Sequence, residues 1–171
     1  TCALPISGII RRNRTSVAIL DGTENTSDLA ALADDVHSFF GMGCRNVTKI
    51  FVPEQYDFLP LIQAFDKYDY FREHHQYSNN YDYQLSLLLL NNIPYMSSKS
   101  TLLVEHKSPF SVPGMVHYEF YPASSDPKLL LVSDNDIQAI VGKSAIPFGE
   151  AQKPGLMNYA DGVDKIGRAH V

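Results

Sequence analysis

The thiol of Cys44 follows Gly41-Met42-Gly43 and precedes Arg45-Asn46 and the β-branched run Val47-Thr48-Lys49-Ile50-Phe51-Val52. Two glycines leave little side-chain bulk around the sulfur and permit backbone angles closed to other residues. A thiol nucleophile needs that access, together with turn N–H groups that hold the oxyanion its attack creates. Gly43, Arg45 and Asn46 are therefore the candidate turn and oxyanion support, and Cys44 is the candidate nucleophile. A second reading of the same residues is a buried cysteine packing as a small hydrophobe in a glycine turn. Arg45 and Lys49 either stabilise the thiolate electrostatically or are solvated strand-edge charges.

The remaining chemistry-bearing types offer less. His37 lies seven residues before Cys44, either as a base or as an ordinary, partly exposed helix histidine. Glu73-His74-His75 has no second pair at metal-ligand spacing, so no metal site is expected. Asn79, Asn80, Asp82 and the tyrosines around them suit either the lining of a ligand channel or a capping and packing role. Gly41-Met42-Gly43 is not a dinucleotide fingerprint, because it follows a helix and lacks a third glycine.

Composition bounds the answer. The 171 residues are 44% hydrophobic and 19% charged, with a formal charge of −5. An acidic balance without a basic run argues against a nucleic-acid partner. Leu87-Leu88-Leu89-Leu90 is far short of the roughly 20 apolar residues that span a bilayer. Thr1-Cys2-Ala3-Leu4-Pro5-Ile6 and Ile166-Gly167-Arg168-Ala169-His170-Val171 resemble the two translations of a common sequencing-library adapter. Residues 1–6 and 166–171 are therefore expected to be artefacts flanking 7–165, an internal piece of a longer protein. Cys44 then stands as the lone native cysteine, which fits a reducing, cytoplasmic setting. One domain is expected, and an oligomer is open.

Elements that position the thiol can be read from periodicity. Ser16–Leu20 reads as a buried strand. Thr26 or Ser27 can cap a helix running to about Phe40, with Leu29, Leu32, Ala33, Val36, Phe39 and Phe40 on one face and Gly41 as its C-cap. Val47–Val52 is the next strand. Asp57 caps a helix carrying Phe58, Leu61, Ile62 and Phe65, with Pro60 tolerated in the first turn. A helix over about 82–91, strands at 101–105, 116–121 and 137–141, and a short helix opened by Ser125 and Pro127 complete the pattern. Strands alternating with helices of this length predict an α/β fold, a mostly parallel sheet covered on both faces.

Four ordered blocks carry a resemblance. Gly41 to Pro53 resembles the active-cysteine segment of the acyl-CoA reductase family, which includes the LuxC-type fatty-acid reductase subunit and belongs to the aldehyde dehydrogenase superfamily. Asn13 to Leu20 resembles the strand before the cysteine helix, and Tyr77-Ser78-Asn79-Asn80-Tyr81-Asp82-Tyr83 a block after it. Pro147 to Pro154 with Asn158 to Asp164 resembles the family's C-terminal signature. The resemblance implies an aldehyde-dehydrogenase-like catalytic domain fragment whose nucleotide-binding domain is missing. It implies an NADPH-dependent reduction: Cys44 takes the acyl group from acyl-CoA or another activated donor, and hydride converts the thioester to a fatty aldehyde. An acyl-protein synthetase or thioesterase is an implied partner. A short-chain CoA-acylating aldehyde dehydrogenase and a non-catalytic scaffold with a buried Cys44 are the alternatives.

Departures from the wider superfamily are also legible. Its water-activating glutamate would fall near Ile9-Ile10, where no carboxylate stands, which suits a thioester that must survive until hydride arrives. Its nicotinamide-ribose segment has a blurred counterpart in Ser108-Pro109-Phe110-Ser111, which makes Phe110 the candidate cofactor contact. The second oxyanion donor, an asparagine in the superfamily, is expected upstream of the segment.

Overall fold

A computed structural model of the chain describes residues 13–122, 131, 134 and 136–155. Strand β1 (Thr15–Ile19) leads through helix α1 (Thr26–His37) to β2 (Val47–Pro53). Helix α2 (Leu59–Phe65), a 3-10 segment (Asp66–Glu73) and helix α3 (His75–Leu90) follow. Then come β3 (Tyr95–Ser97), β4 (Leu102–Glu105), β5 (Met115–Tyr121) and β6 (Ile137–Val141). The sheet order is β3-β4-β5-β2-β1-β6. Every pairing is parallel except β3 with β4, so the chain has the expected α/β architecture of a mostly parallel sheet with helices packed against it.

Alternating side chains divide the core between the two faces. Leu29, Leu32, Ala33 and Val36 of α1 and Leu61 and Phe65 of α2 pack with Ile50, Val52, Leu103 and Val116 on one face. Tyr81 and Leu88 of α3 pack with Leu102 and Val104 on the other, joined by Met115. Leu102 and Leu103 thus point to opposite faces, as strand geometry requires.

Several boundaries differ from the sequence reading, each for a local reason. The cap of α1 is Asn25, not Thr26 or Ser27: its side chain accepts the Asp28 N–H at 2.8 Å, and Asp28 accepts the Asn25 N–H in return. This reciprocal capping box satisfies two orphan donors at once. Helix α1 ends at His37 rather than Phe40, because Phe39 (φ 54°) and Phe40 (φ 58°) enter the left-handed region before Gly41 (φ 75°) does. Helix α3 begins at His75, well ahead of Asp82. Its first turns are tied down by Tyr77, whose hydroxyl donates to the Ser100 carbonyl at 3.0 Å, and by Phe71–Tyr77 ring contact. The N-cap of α2 is Phe58 rather than Asp57, which stands one residue earlier and accepts the Leu59 N–H at 3.0 Å. The short β3 and the 3-10 segment carry too little periodicity to be read from sequence. Ser125, Pro127, Asn158 to Asp164 and both adapter-like ends lie outside the described residues, as do Ile9 and Ile10.

One connection departs from α/β custom. Parallel neighbours ordinarily need a crossover of about a dozen residues or more, usually helical. Between β4 and β5 the chain returns through residues 106–114 alone. This strap is held to the sheet by Lys49 Nζ on the Lys107 carbonyl (2.6 Å), the Thr48 hydroxyl on the Pro109 carbonyl (2.6 Å) and His117 Nδ1 on the Ser108 carbonyl (2.9 Å). The strap ends with Phe110, Ser111 and Pro113 beside the Cys44 turn.

Candidate active site

The turn at Cys44 is organised by the residue two places after it. Asn46 is fully buried, and its amide nitrogen donates to the carbonyls of Asp35 (3.1 Å), Val36 (3.0 Å) and Ser38 (2.7 Å). Those are carbonyls that the end of α1 leaves without helical partners. Its amide oxygen accepts the Gly43 N–H at 2.8 Å. Asn46 therefore closes the helix with one end of its amide and shapes the cysteine turn with the other. A Cβ on Gly43 would stand 2.7 Å from that oxygen, which is the specific reason for glycine there.

Strain collects in front of this turn. Bulky residues at positive φ cost on the order of 1–3 kcal/mol each, and Phe39 and Phe40 are consecutive. The Phe40 ring packs on Phe71 (4.5 Å) and His74 (5.1 Å), which offsets part of that cost. The Phe39 ring is 70% exposed, as is Met42 at 71%.

Cys44 carries a free, exposed thiol. That exposure departs from the buried Cys44 that the packing reading and the scaffold alternative both assumed. The thiol opens into a cleft of about 390 Å³ whose walls include Arg14, Thr15, Met42, Thr48, Phe110 and Pro113. Phe110, the candidate cofactor contact, is thus brought to the same cleft as Cys44. Among the described lining residues there is no aspartate, glutamate or histidine. A second cleft of about 330 Å³, formed by Phe40, Met42, His74, Gln76, Tyr77, Asn80 and Pro113, shares Met42 and Pro113 with the first. Both volumes fall in the range of small-molecule sites, roughly 300–1,000 Å³.

Other candidates fall elsewhere. His37 is buried, not partly exposed. Its Nδ1–H donates to the Ala33 carbonyl at 2.8 Å, which leaves Nε2 to accept from the Thr101 hydroxyl at 2.7 Å. Stacked on Tyr68 and pushed by burial down to about 4, it is a neutral packing residue. Lys49 is neither an edge charge nor a partner for the thiol: it sits buried on central strand β2 and pairs with Glu119. Asp82 pairs with Arg72 at 2.8 Å, and Asn79 is exposed on α3 while Asn80 reaches the second cleft. No group of three or more His, Cys, Asp or Glu that could hold a metal gathers among the described residues. No helix there is long and apolar enough to cross a membrane.

Asp35 is the residue that sequence reasoning missed. It is buried in α1 and accepts the N–H groups of Gly149 (2.7 Å) and Ala151 (3.1 Å). Arg45 completes the clip by donating to the Ala151 carbonyl at 3.3 Å. The segment Pro147 to Pro154 is thereby fastened to both α1 and the cysteine turn. Only the polar residue at a core-facing helical position hinted at it. Burial pushes Asp35 up to about 6, against the opposing pull of the two N–H groups. A raised carboxyl favours the native state while protonated, so its contribution is full below about pH 4 and is lost as pH rises through about 6. Asp35→Asn is expected to flatten the fall in denaturant stability between pH 4 and 6, at a cost of about 1 kcal/mol for the lost acceptor. A pH profile identical to wild type would refute the assignment.

Comparison with protein-family models and with curated proteins finds no match to this chain.

Proposed function

We propose that the protein reduces acyl thioesters to aldehydes, with Cys44 as the acyl acceptor. The observation that carries this reading is an exposed thiol on a glycine turn, in a cleft that adjoins an apolar one through Met42 and Pro113. The thiolate attacks the carbonyl carbon, a C–S bond forms to Cys44, and the bond to the donor thiol breaks as that thiol leaves with the electron pair and takes up a proton. The Cys44 N–H is the near donor for the oxyanion, within a turn that the Asn46–Gly43 hydrogen bond holds rigid. The acyl chain lies in the cleft bordered by Phe40, Met42, Tyr77 and Pro113. Cys44 would hold the acyl group as a thioester for the hydride that a bound nicotinamide cofactor would supply, and would be returned as the thiolate on release of the aldehyde.

The fit to NADPH divides in two. The nicotinamide end suits the space between Cys44 and Phe110, where the bound group would supply the hydride. The phosphates find no cradle at the β1–α1 turn. There the N–H groups of Asp21 and Gly22 are taken by Glu24 (2.7 and 3.0 Å), and that of Thr23 by Asp21 (2.8 Å). Two carboxylates occupying those donors would also repel a pyrophosphate.

The test is a single-turnover acylation followed by peptide mass mapping, with acyl-CoA donors of increasing chain length. The mass of one acyl group is expected on the Cys44 peptide, with the acylation rate rising at least fivefold from two carbons to about ten as the chain fills the apolar cleft. An acyl group found on any other residue would defeat the proposal, and a rate that falls with chain length would favour the short-chain alternative.

A further inference from the structure

Arg14 is the one cation among the described walls of the Cys44 cleft. Its Nη2 is tethered to the Ile137 carbonyl at the start of β6, and its side chain is half-buried. No described carboxylate pairs with it, and its Nε is buried without a partner. A guanidinium normally spends its five donors on planar acceptors, bidentately where it can. Leaving donors unused costs free energy in proportion to their desolvation, so a half-buried guanidinium with no described carboxylate partner, beside a nucleophile, is a site waiting for negative charge. Its neighbours fix it rather than neutralise it. The Thr15 and Thr48 hydroxyls beside it bond to one another, and Thr48 also bonds to the Pro109 carbonyl, so neither needs the arginine as a donor.

Resting on the acyl-transfer reading, we infer that Arg14 recognises an anionic oxygen of the substrate in the Cys44 cleft. That oxygen belongs either to the phosphates of a CoA-type donor or to the tetrahedral adduct formed at the sulfur. Both present the same chemistry to a guanidinium, a localised negative oxygen in a partly desolvated cleft. Arg14 would then supply the charge that the cleft's other described walls lack.

The experiment uses the full-length protein and two donors with the same acyl chain, acyl-CoA and the uncharged acyl-N-acetylcysteamine. Arg14→Met is expected to slow Cys44 acylation at least tenfold with one or both donors, with partial rescue in Arg14→Lys. Alkylation of Cys44 by iodoacetamide, which develops no charge on oxygen, should change less than threefold. A loss confined to acyl-CoA and expressed in its half-saturating concentration assigns the oxygen to phosphate. An equal loss with both donors, expressed in the rate at saturation, assigns it to the adduct. Unchanged acylation with both donors overturns the inference, as does an equal loss of alkylation, which would place Arg14 on the thiolate. Failure of the wild-type protein to be acylated by either donor instead defeats the acyl-transfer reading itself. Should the tether to β6 make Arg14→Met unstable by thermal melt, Arg14→Gln retains a donor for the Ile137 carbonyl and carries the same comparison.

Discussion

Cys44→Ala in the full-length protein is expected to abolish both covalent acyl capture and aldehyde release. The reason is that no other thiol is present among the described residues to take its place. Without the thiolate the carbonyl carbon meets no nucleophile, and the two-step route through a thioester has no first step. Folding should be nearly untouched, within about 0.5 kcal/mol, because the side chain is exposed and packs against little. The result is therefore readable as chemistry alone. Incubating the variant with radiolabelled acyl-CoA and separating the denatured protein gives the answer: covalent label retained on it would end the case for Cys44.

Gly43→Val is the second large effect, and it strikes two properties together. Turnover is expected to fall at least about a hundredfold, roughly 2.7 kcal/mol of transition-state stabilisation, because the turn can no longer hold the Cys44 N–H and sulfur in register. Stability is expected to fall as well, although the turn lines a cleft. The added Cβ meets Asn46 Oδ1 at 2.7 Å, and Asn46 is not free to swing away, since its nitrogen holds three carbonyls of the α1 terminus. Displacing it strands buried acceptors at about 1–3 kcal/mol each. Melting curves and turnover measured below the melting point separate the two losses. Near-wild-type turnover in the folded variant would reduce the turn to a linker.

How far the chain could be read in advance depended on which residues speak locally. The apolar runs at Val17–Leu20 and Val47–Val52 announce buried strands because both of their faces are covered, and the spacing of Leu29, Leu32 and Val36 announces the face of α1. Those signals are complete within a few residues. The end of α1 is not. Phe39 and Phe40 continue the apolar spacing perfectly, and they leave the helix because Asn46, across a turn, captures the carbonyls that a further helical turn would have used. The same distance effect hid Asp35, whose partners lie more than a hundred residues later in the chain. It also misplaced Lys49, whose partner Glu119 arrives only when β5 docks. Cys44 was singled out from its own neighbourhood and Phe110 only through a family resemblance; that they share a cleft depends on the strap from β4 to β5, for which no local pattern exists.

The double use of Asn46 bears on how this region can come apart. A helix end ordinarily frays by itself, residue by residue, at little cost. Here the last carbonyls of α1 and the N–H before the cysteine hang on one side chain, so neither can loosen without the other. Opening at the helix terminus and exposure of the cysteine turn become one cooperative event rather than two independent ones. Cys44 thus inherits the protection of the helix it follows, even though its side chain is exposed.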